Sequence, residues 1–166
     1  ETATNVTELY YDDGSAEGGY LLYYLFPYTE YLAVWFNTTY DNLETVRFYI
    51  YSNPYLSSFY WYVYNGTVTN ITKLVTWGFA TPTSTGWYNI SVSKKVSNNF
   101  WVIYGSGDFL YGYPAIGYDN TTPIDYHSRY SSNGGASWSN WTSNDIMIRA
   151  IVSSGVVTTT TTTTTT

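Results

Sequence analysis

The chain of 166 residues contains no cysteine, one histidine and few charged residues, and each scarcity excludes a class of function. Without cysteine there is no disulfide framework, and zinc sites built from cysteine and histidine lack their ligands. Six lysines and arginines, scattered along a chain of net charge -6, are too few for the phosphate contacts of a nucleic-acid-binding surface. We therefore expect no nucleic acid partner.

Long apolar runs are also missing from the sequence. No stretch reaches the roughly 18 residues that a membrane span requires, so none is expected. The start of the chain lacks the charged and apolar regions of a signal peptide, which favours Glu1 as a mature or trimmed N-terminus. Charged residues make up 11% of the chain, against about 25% in an average soluble protein. Hydroxyls, amides and attached sugars must therefore supply the solubility.

Aromatic and β-branched residues in period-2 runs dominate what is present, with 21 tyrosines and 7 tryptophans. The clearest runs are 46–51 and 59–64, separated by a turn signal at 52–54. Strict alternation predicts two half-buried strands of one sheet, with an aliphatic and aromatic face inward and a tyrosine face outward. The outward tyrosines are Tyr49, Tyr51, Tyr60, Tyr62 and Tyr64.

About ten such strand candidates follow one another, and no amphipathic helix is predicted. Short strands between turn signals predict an all-β fold, an antiparallel β-sandwich over residues 1–154 in which 1–7 would form an extended N-terminal strand. Residues 155–166, almost all threonine, are predicted to form an extended tail or an O-glycosylated stalk. Asn65-Gly66 is predicted to form a turn and 120–135 a polar loop.

Seven of the thirteen asparagines stand in N-x-S/T sequons, about twice the number that chance gives for a chain with roughly one quarter serine and threonine. Strand alternation places Asn37 and Asn89 on the outward face, where a glycan has room. We predict N-glycosylation and an extracellular, cell-surface location, while accidental sequons in a threonine-rich chain stay an alternative. The predicted sites are Asn5, Asn37, Asn65, Asn70, Asn89, Asn120 and Asn140.

Two resemblances to known proteins rest on short motifs. Ser131–Trp138 resembles an Asp-box, S-x-D-x-G-x-x-W, with Asn133 in place of the aspartate. A broader likeness to jelly-roll domains of archaeal and bacterial secreted or surface proteins rests on Tyr11–Gly14, Gly107–Phe109, Pro114–Asp119, Ser128–Ser132 and Met147–Ala150. It implies a jelly-roll-like sandwich, carried on a threonine-rich stalk, that serves adhesion, carbohydrate contact or assembly rather than catalysis.

Candidate catalytic and metal-binding residues are few. His127 lies beside Asp125 and Ser128, but adjacency in sequence is not triad geometry, and no pair of carboxylates stands out for glycoside hydrolysis. We therefore expect no enzyme. Carboxylates in glycine-containing turns suit calcium, although Asp-Asp-Gly is first of all a turn signal. The candidate calcium ligands are Asp12, Asp13 and Glu17, with Asp108 and Asp119 in similar turns.

Two functions are compatible with these expectations. The first is a glycosylated structural subunit of a surface filament or coat, a homopolymer in which an extended terminal segment adds to the sandwich of a neighbour. The tyrosines would then lie under a neighbouring subunit or the protein's own glycans. The exchanging segment would be 1–7 or the C-terminal residues Val156, Val157, Thr158, Thr159 and Thr160 with the threonines after them. The alternative is a carbohydrate-binding or adhesive module whose tyrosines stack on sugar rings.

Overall fold

A computed structural model of the chain describes residues 5–22, 24–25, 28–106 and 113–154. These residues form fifteen strands: β1 (Val6–Leu9), β2 (Gly18–Tyr20), β3 (Tyr24–Leu25), β4 (Tyr28–Thr29), β5 (Tyr31–Asn37), β6 (Asn42–Ser52), β7 (Phe59–Thr67), β8 (Asn70–Ala80), β9 (Gly86–Lys95), β10 (Asn99–Gly105), β11 (Ala115–Asp119), β12 (Ser128–Ser131), β13 (Ser139–Asn140), β14 (Asp145–Ile146) and β15 (Ile148–Ser153). Among the described residues there is no helix that is long and apolar enough to cross a membrane.

The strands form two antiparallel sheets packed face to face, which confirms the predicted β-sandwich. The first sheet has the order β1-β15-β6-β11-β14, with β2 beside β11 and β9 beside β6. The second has the order β13-β12-β5-β10-β7-β8, and β3 and β4 form a separate hairpin. From β5 onward the chain crosses repeatedly between the sheets, as in jelly-roll folds.

Alternation along the strands builds the core between the sheets. Every second residue is buried over 46–50 of β6 and 59–63 of β7, and each large side chain of this kind contributes about 1.5–3 kcal/mol. Phe48 of the first sheet meets Phe59 of the second edge to face, with ring centroids 5.1 Å apart. The fully buried core also contains Leu32, Phe36, Val46, Ile50, Val63, Phe100, Val102, Ile116 and Ile148.

The two tyrosine-rich runs lie in different sheets, so the prediction of a single sheet is wrong. Residues 53–58 cross from β6 in the first sheet to β7 in the second. The Asn53 amide fixes the crossing by donating to the carbonyls of Ser57 (3.0 Å) and Pro82 (2.8 Å). Alternation does not distinguish two strands in one sheet from one strand in each of two facing sheets, because both arrangements bury the same apolar face of each strand. Tyr49 and Tyr51 therefore lie on the outer face of one sheet, and Tyr60, Tyr62 and Tyr64 on that of the other.

Two further local predictions differ from the structure. Asn65 and Gly66 do not form a turn, because a bulge lets β7 continue through them, and the chain turns at 68–69 instead. The stretch 120–135, predicted to be a loop, contains β12. Its serines and arginine carry no apolar alternation, so no strand signal was available there.

Both ends of the described chain lie at one edge of the first sheet. β1 pairs with β15 so that Val6 lies opposite Ser153, and the Ser154 amide donates to the Asn5 carbonyl at 3.1 Å. Residues 6 and 7 of the predicted exchange segment 1–7 thus pair within their own chain. The predicted tail, 155–166, lies outside the described residues.

Candidate functional site

The outer face of the second sheet carries a grid of aromatic and aliphatic side chains. Antiparallel register brings outward positions of neighbouring strands side by side. Across β7 and β8 the outward pairs are Tyr60–Phe79, Tyr62–Trp77 and Tyr64–Leu74, and across β7 and β10 they are Tyr62–Ile103 and Tyr64–Trp101. These residues, together with Tyr31 of β5 and Trp138, are referred to below as the aromatic face.

The rings of the aromatic face contact one another along and across the strands. Centroids lie 6.4 Å apart for Tyr62 and Tyr64, 6.5 Å for Tyr62 and Trp77, and 5.6 Å for Tyr62 and Tyr31. Gly105 allows the close approach, because a Cβ there would lie 2.7 Å from Tyr31 Cε1 and 3.3 Å from Tyr62 Cε2. Burial raises the pKa of Tyr62 and of Tyr64, and the neighbouring Tyr31 raises both further by a smaller amount. Their hydroxyls therefore stay protonated and able to donate.

The aromatic face is open along β8 and closed at its other end. Trp77 and Phe79 are 55% and 69% exposed, whereas Trp101 is 2% exposed. Trp138 covers Trp101, with ring centroids 5.4 Å apart. Contiguous exposed apolar surface of this kind marks a contact site in a soluble protein.

Trp138 is positioned by the loop that resembles an Asp-box. The Asn133 side-chain oxygen accepts hydrogen bonds from the Ser137 amide at 3.0 Å and from the Ser131 hydroxyl at 2.9 Å. The Asn133 amide donates to Ser137 Oγ at 2.8 Å. Gly135 adds a backbone hydrogen bond to Ser131 Oγ at 2.9 Å. An asparagine oxygen thus accepts the bonds that close this loop, and the loop ends with Trp138 over the sheet.

Three adjoining cavities form one groove along the aromatic face. Their volumes are about 420, 240 and 360 Å³, against roughly 300–1,000 Å³ for small-molecule sites. Ile71 and Trp138 line the first and the second, while Tyr31 and Tyr62 line the second and the third. This groove is called the aromatic groove below.

Polar groups of the aromatic groove are almost all neutral. Hydroxyls and amides at the first cavity come from Thr69, Asn70, Ser137 and Asn140, and the tyrosine hydroxyls belong to the other two. Among the described residues that line the three cavities, Arg129 is the one with a charge, and none carries a carboxylate. The groove therefore offers flat apolar area bordered by neutral donors and acceptors.

Three of the five predicted contact tyrosines lie in the groove, namely Tyr60, Tyr62 and Tyr64. The other two lie on the opposite side of the sandwich, where Tyr49 packs edge-on against Trp87 with centroids 5.3 Å apart. A Cβ on Gly19 would lie 2.4 Å from the Tyr51 ring, so that ring lies over its own sheet.

Five aromatic or charged groove residues were not among the predicted contact residues, namely Tyr31, Trp77, Trp101, Trp138 and Arg129. Outward alternation in β8 and β10 would have indicated Trp77 and Trp101, and the Asp-box likeness would have indicated Trp138. No sequence signal indicates Arg129, because the strand that carries it was itself missed. The groove is consequently richer in tryptophan than the predicted tyrosine face.

Six of the seven sequon asparagines are exposed, and Asn65 is half-buried. The side-chain oxygen of Asn65 accepts from the Ser97 amide at 2.8 Å, and that of Asn89 accepts from Arg47 Nε at 2.9 Å. These contacts engage the oxygen and leave the amide nitrogen, which carries an N-linked glycan. Asn70 and Asn140 line the first cavity of the groove. Glycosylation at the seven positions stays a prediction.

The predicted calcium ligands are only partly brought together. Oxygens of Asp13, Glu17 and Asp119 lie within 4.8 Å of one another, whereas Asp12 binds Arg149 instead, and Asp108 lies outside the described residues. Backbone amides of residues 13, 15, 120 and 121 donate to the three carboxylates at 2.7–3.0 Å. Hydrogen bonds from Ser15 lower the pKa of Asp13. Calcium binding stays a prediction.

His127 and its sequence neighbours do not form a catalytic triad. The imidazole stacks on Tyr11, with centroids 3.7 Å apart, and its Nδ1 contacts the backbone carbonyl of Asp125 at 2.8 Å. Ser128 Oγ accepts a hydrogen bond from the Ile146 amide at 2.8 Å inside the core. Burial lowers the pKa of His127. These contacts pack rings and close a turn, and they leave Ser128 without a base.

No protein-family model matches the chain, and no match is found among curated proteins or solved structures. The likeness to Asp-box and jelly-roll surface domains therefore stays a resemblance, and function has to be argued from the groove.

Proposed function

We propose that this protein is a non-catalytic carbohydrate-binding, adhesive module of the cell surface and that the aromatic groove is its ligand site. The observation that carries the proposal is a row of tyrosine and tryptophan rings on adjacent strands, open to solvent along a continuous groove. Sugar rings have apolar C–H faces and hydroxyl edges, and a phenol or indole matches both with a flat face and a polar tip.

Rigidity of the groove supports the same proposal. Tyr60, Tyr62 and Tyr64 are outward residues of a strand that has strand partners on both sides, so their backbone is held by two ladders. Side chains fixed on such elements lose little conformational freedom when a ligand binds. A shallow, preorganised aromatic surface suits a chain of sugars better than a mobile loop would.

Exposed sequons support a cell-surface location. Glycosylated proteins pass through compartments outside the cytosol, and six of the sequon asparagines stand where a glycan has room. Mass spectrometry of the native protein would test this, with hexose-containing masses expected on peptides that contain Asn37 and Asn89. Unmodified peptides at all seven positions would contradict the location.

A glycan array tests the proposed function with two substitutions in the groove and one matched control. Tyr62→Ala and Tyr60→Ala should each lower the affinity for the retained glycan about tenfold, because each removes a stacking ring. Tyr51→Ala deletes the same ring on the opposite side of the sandwich and should leave binding unchanged. An array on which the wild-type protein retains no glycan, or on which Tyr51→Ala has the same effect, would contradict the proposal.

A structural subunit of a surface filament is the second candidate, and one observation favours it. The strands β8 and β9 pair on one side only with described strands, so each presents a long edge of backbone donors and acceptors. An extended segment of a neighbour, such as 156–160, would add to such an edge through main-chain hydrogen bonds. Electron microscopy of native material should then show filaments with continuous β density between subunits. Monodisperse monomers would exclude this candidate.

A further inference from the structure

Arg129 is a buried cation at the first cavity of the aromatic groove. It lies in β12 opposite Ala33 and Asn140, is 6% exposed, and its guanidinium carbon lies 6.0 Å from the centre of the Trp101 ring. Its Nη1 donates to the backbone carbonyls of Tyr126 and Ser128, at 2.5 and 3.0 Å. Those two bonds fix the plane of the guanidinium from one side.

The remaining donors of Arg129 have no partner in the described part of the chain. Nε and Nη2 carry three of the five N–H groups, and neither donates to a described residue. No described carboxylate lies within ion-pair distance of this guanidinium, whereas Arg47 pairs with Glu8 and Arg149 with Asp12. Burial without a counter-charge lowers the pKa of Arg129.

The free N–H groups of Arg129 still reach solvent, because Trp35 Nε1 is the one fully buried side-chain nitrogen or oxygen without a partner among the described residues. A guanidinium that is largely removed from bulk water and has no counter-charge gains from a paired anion. The side chain lines the cavity of about 420 Å³ together with Trp101 and Trp138. A planar fork of free N–H groups is the arrangement that binds a carboxylate with two parallel hydrogen bonds. Arg129 thus places a cation without a described anionic partner at one end of the aromatic groove.

We propose that the groove selects an acidic saccharide, with the carboxylate of a uronic-acid type sugar bound to Nε and Nη2 of Arg129. This inference rests on the proposed function and deepens it. Trp138 stands beside that position and would stack on the sugar that carries the carboxylate, while the hydroxyls and amides of Thr69, Ser137 and Asn140 lie within the same cavity. Neutral sugars of the same chain would then continue over Tyr62 and Tyr31.

The net charge of -6 does not oppose this assignment. None of the described residues that line the three cavities carries a carboxylate, and Arg129 contributes a positive charge to the first cavity. At physiological ionic strength the acids elsewhere on the protein are screened beyond about 8 Å.

A panel of immobilised oligosaccharides tests the inference, with each uronate oligomer paired with its methyl ester. The ester keeps the sugar rings and removes the negative charge. Wild-type protein should bind the acid at least about tenfold more tightly than the ester, because charge-assisted bidentate bonds are lost with the ester. Arg129→Gln should abolish that preference while ester binding persists. Lys73→Gln removes the same charge from an exposed site on β8 and should retain the preference.

The outcomes separate this inference from the proposed function. Equal binding of acid and ester by the wild-type protein would overturn the acidic ligand and leave a neutral saccharide in the groove. Failure of the wild-type protein to bind either member of any pair would overturn the acidic ligand, and the proposed function would fall with it only if the glycan array also retains nothing. A preference lost equally in Lys73→Gln and Arg129→Gln would indicate general electrostatics and would overturn the role of Arg129. If Arg129→Gln does not fold, the wild-type comparison of acid and ester decides alone.

Discussion

The two outer faces of the sandwich both carry aromatic rings, and the charges around those rings differ. On the first sheet Trp87 lies beneath two guanidinium groups, those of Arg47 at 5.0 Å and Arg149 at 4.4 Å. Each of these cations also pairs with a carboxylate, of Glu8 and Asp12 respectively. The first sheet therefore covers the half-buried Trp87 ring with its own paired charges.

The second sheet leaves the rings along β8 uncovered, and its Arg129 pairs with no described carboxylate. Trp77 and Phe79 are mostly exposed, and Arg129 has no carboxylate within reach among the described residues. Composition is similar on both faces, because tyrosines occupy outward positions of the central strands β6 and β7, and a tryptophan occupies one on each neighbouring strand, β9 and β8. Aromatic content alone therefore does not distinguish the two faces. They differ in whether the protein's own side chains pair with the exposed rings and cations, and a face without such partners is open to a ligand.

The largest expected effect is on stability and comes from the paired face. The Asp12 side chain is fully buried and binds Arg149, so Asp12→Asn removes the nearer carboxylate and leaves that of Glu8, whose oxygen lies 3.8 Å from Arg149 Nη1. We expect a loss of about 3 kcal/mol in the free energy of unfolding. Arg129→Gln on the open face removes a cation that has no anion and should cost about 1 kcal/mol or less. Urea denaturation of both variants checks this, and equal losses would contradict the contrast between the faces.

A smaller expected effect is the pH dependence of the free energy of unfolding that Asp145 of the first sheet contributes. Burial, with Asp125, Asp119 and Asp12 nearby, raises the pKa of Asp145 to about 6 from 3.8. The folded protein therefore holds this proton more tightly than the unfolded chain, and its contribution to stability falls as pH rises through 6. We expect a loss on the order of 2 kcal/mol between pH 4 and pH 7 that is missing in Asp145→Asn.

His127 has to be separated from Asp145 in that experiment. Its lowered pKa means that the folded protein binds the imidazole proton less tightly, so its contribution to stability rises with pH up to about 6.5. The difference between wild type and Asp145→Asn at each pH cancels the histidine. A difference that does not change with pH would show that Asp145 titrates normally. Ester binding in the groove should not vary over the same range, since none of the described residues that line the cavities is an acid or a histidine.

The smallest expected effect on stability comes from the open face. Trp138→Ala removes the ring that covers Trp101 and should cost about 1 kcal/mol, because Trp138 is only half-buried. The same change should abolish binding of the acidic saccharide, since it removes the wall beside Arg129. Tyr51→Ala, which deletes a partly exposed ring on the opposite side of the sandwich, serves as the control and should have little effect on either. If Trp138→Ala binds the acidic saccharide as tightly as the wild-type protein does, Trp138 and its loop are not part of the ligand site.

Alternation along the chain was sufficient to predict the sandwich and much of its core. Val46, Phe48 and Ile50 are inward as expected, and Asn37 and Asn89 are exposed as expected. The assignment of β6 and β7 to one sheet failed because period-2 patterning fixes which face of a strand is buried and says nothing of which strand it pairs with. The position of a turn such as 52–54 likewise does not reveal whether the chain turns back or crosses over.

Only part of the candidate site could be predicted from the sequence, because alternation gives the direction of a side chain and not its contacts. Tyr60, Tyr62 and Tyr64 stand in a regular strand, so their outward direction follows from alternation. Arg129 stands in a short strand without apolar alternation, and its lack of a partner is a property of the folded chain alone. Grouping of Asp119 with Asp13 likewise depends on contact between residues more than one hundred positions apart.

The most direct test of the central claim follows the indole N–H resonances of the tryptophans by NMR during titration with a glycan that the array retains. Sugar binding in the aromatic groove predicts shifts for Trp77, Trp101 and Trp138, with Trp87 on the opposite face unchanged. Shifts confined to Trp87, or a bound glycan that moves none of the three groove indoles, would contradict the assignment of the ligand site to the second sheet.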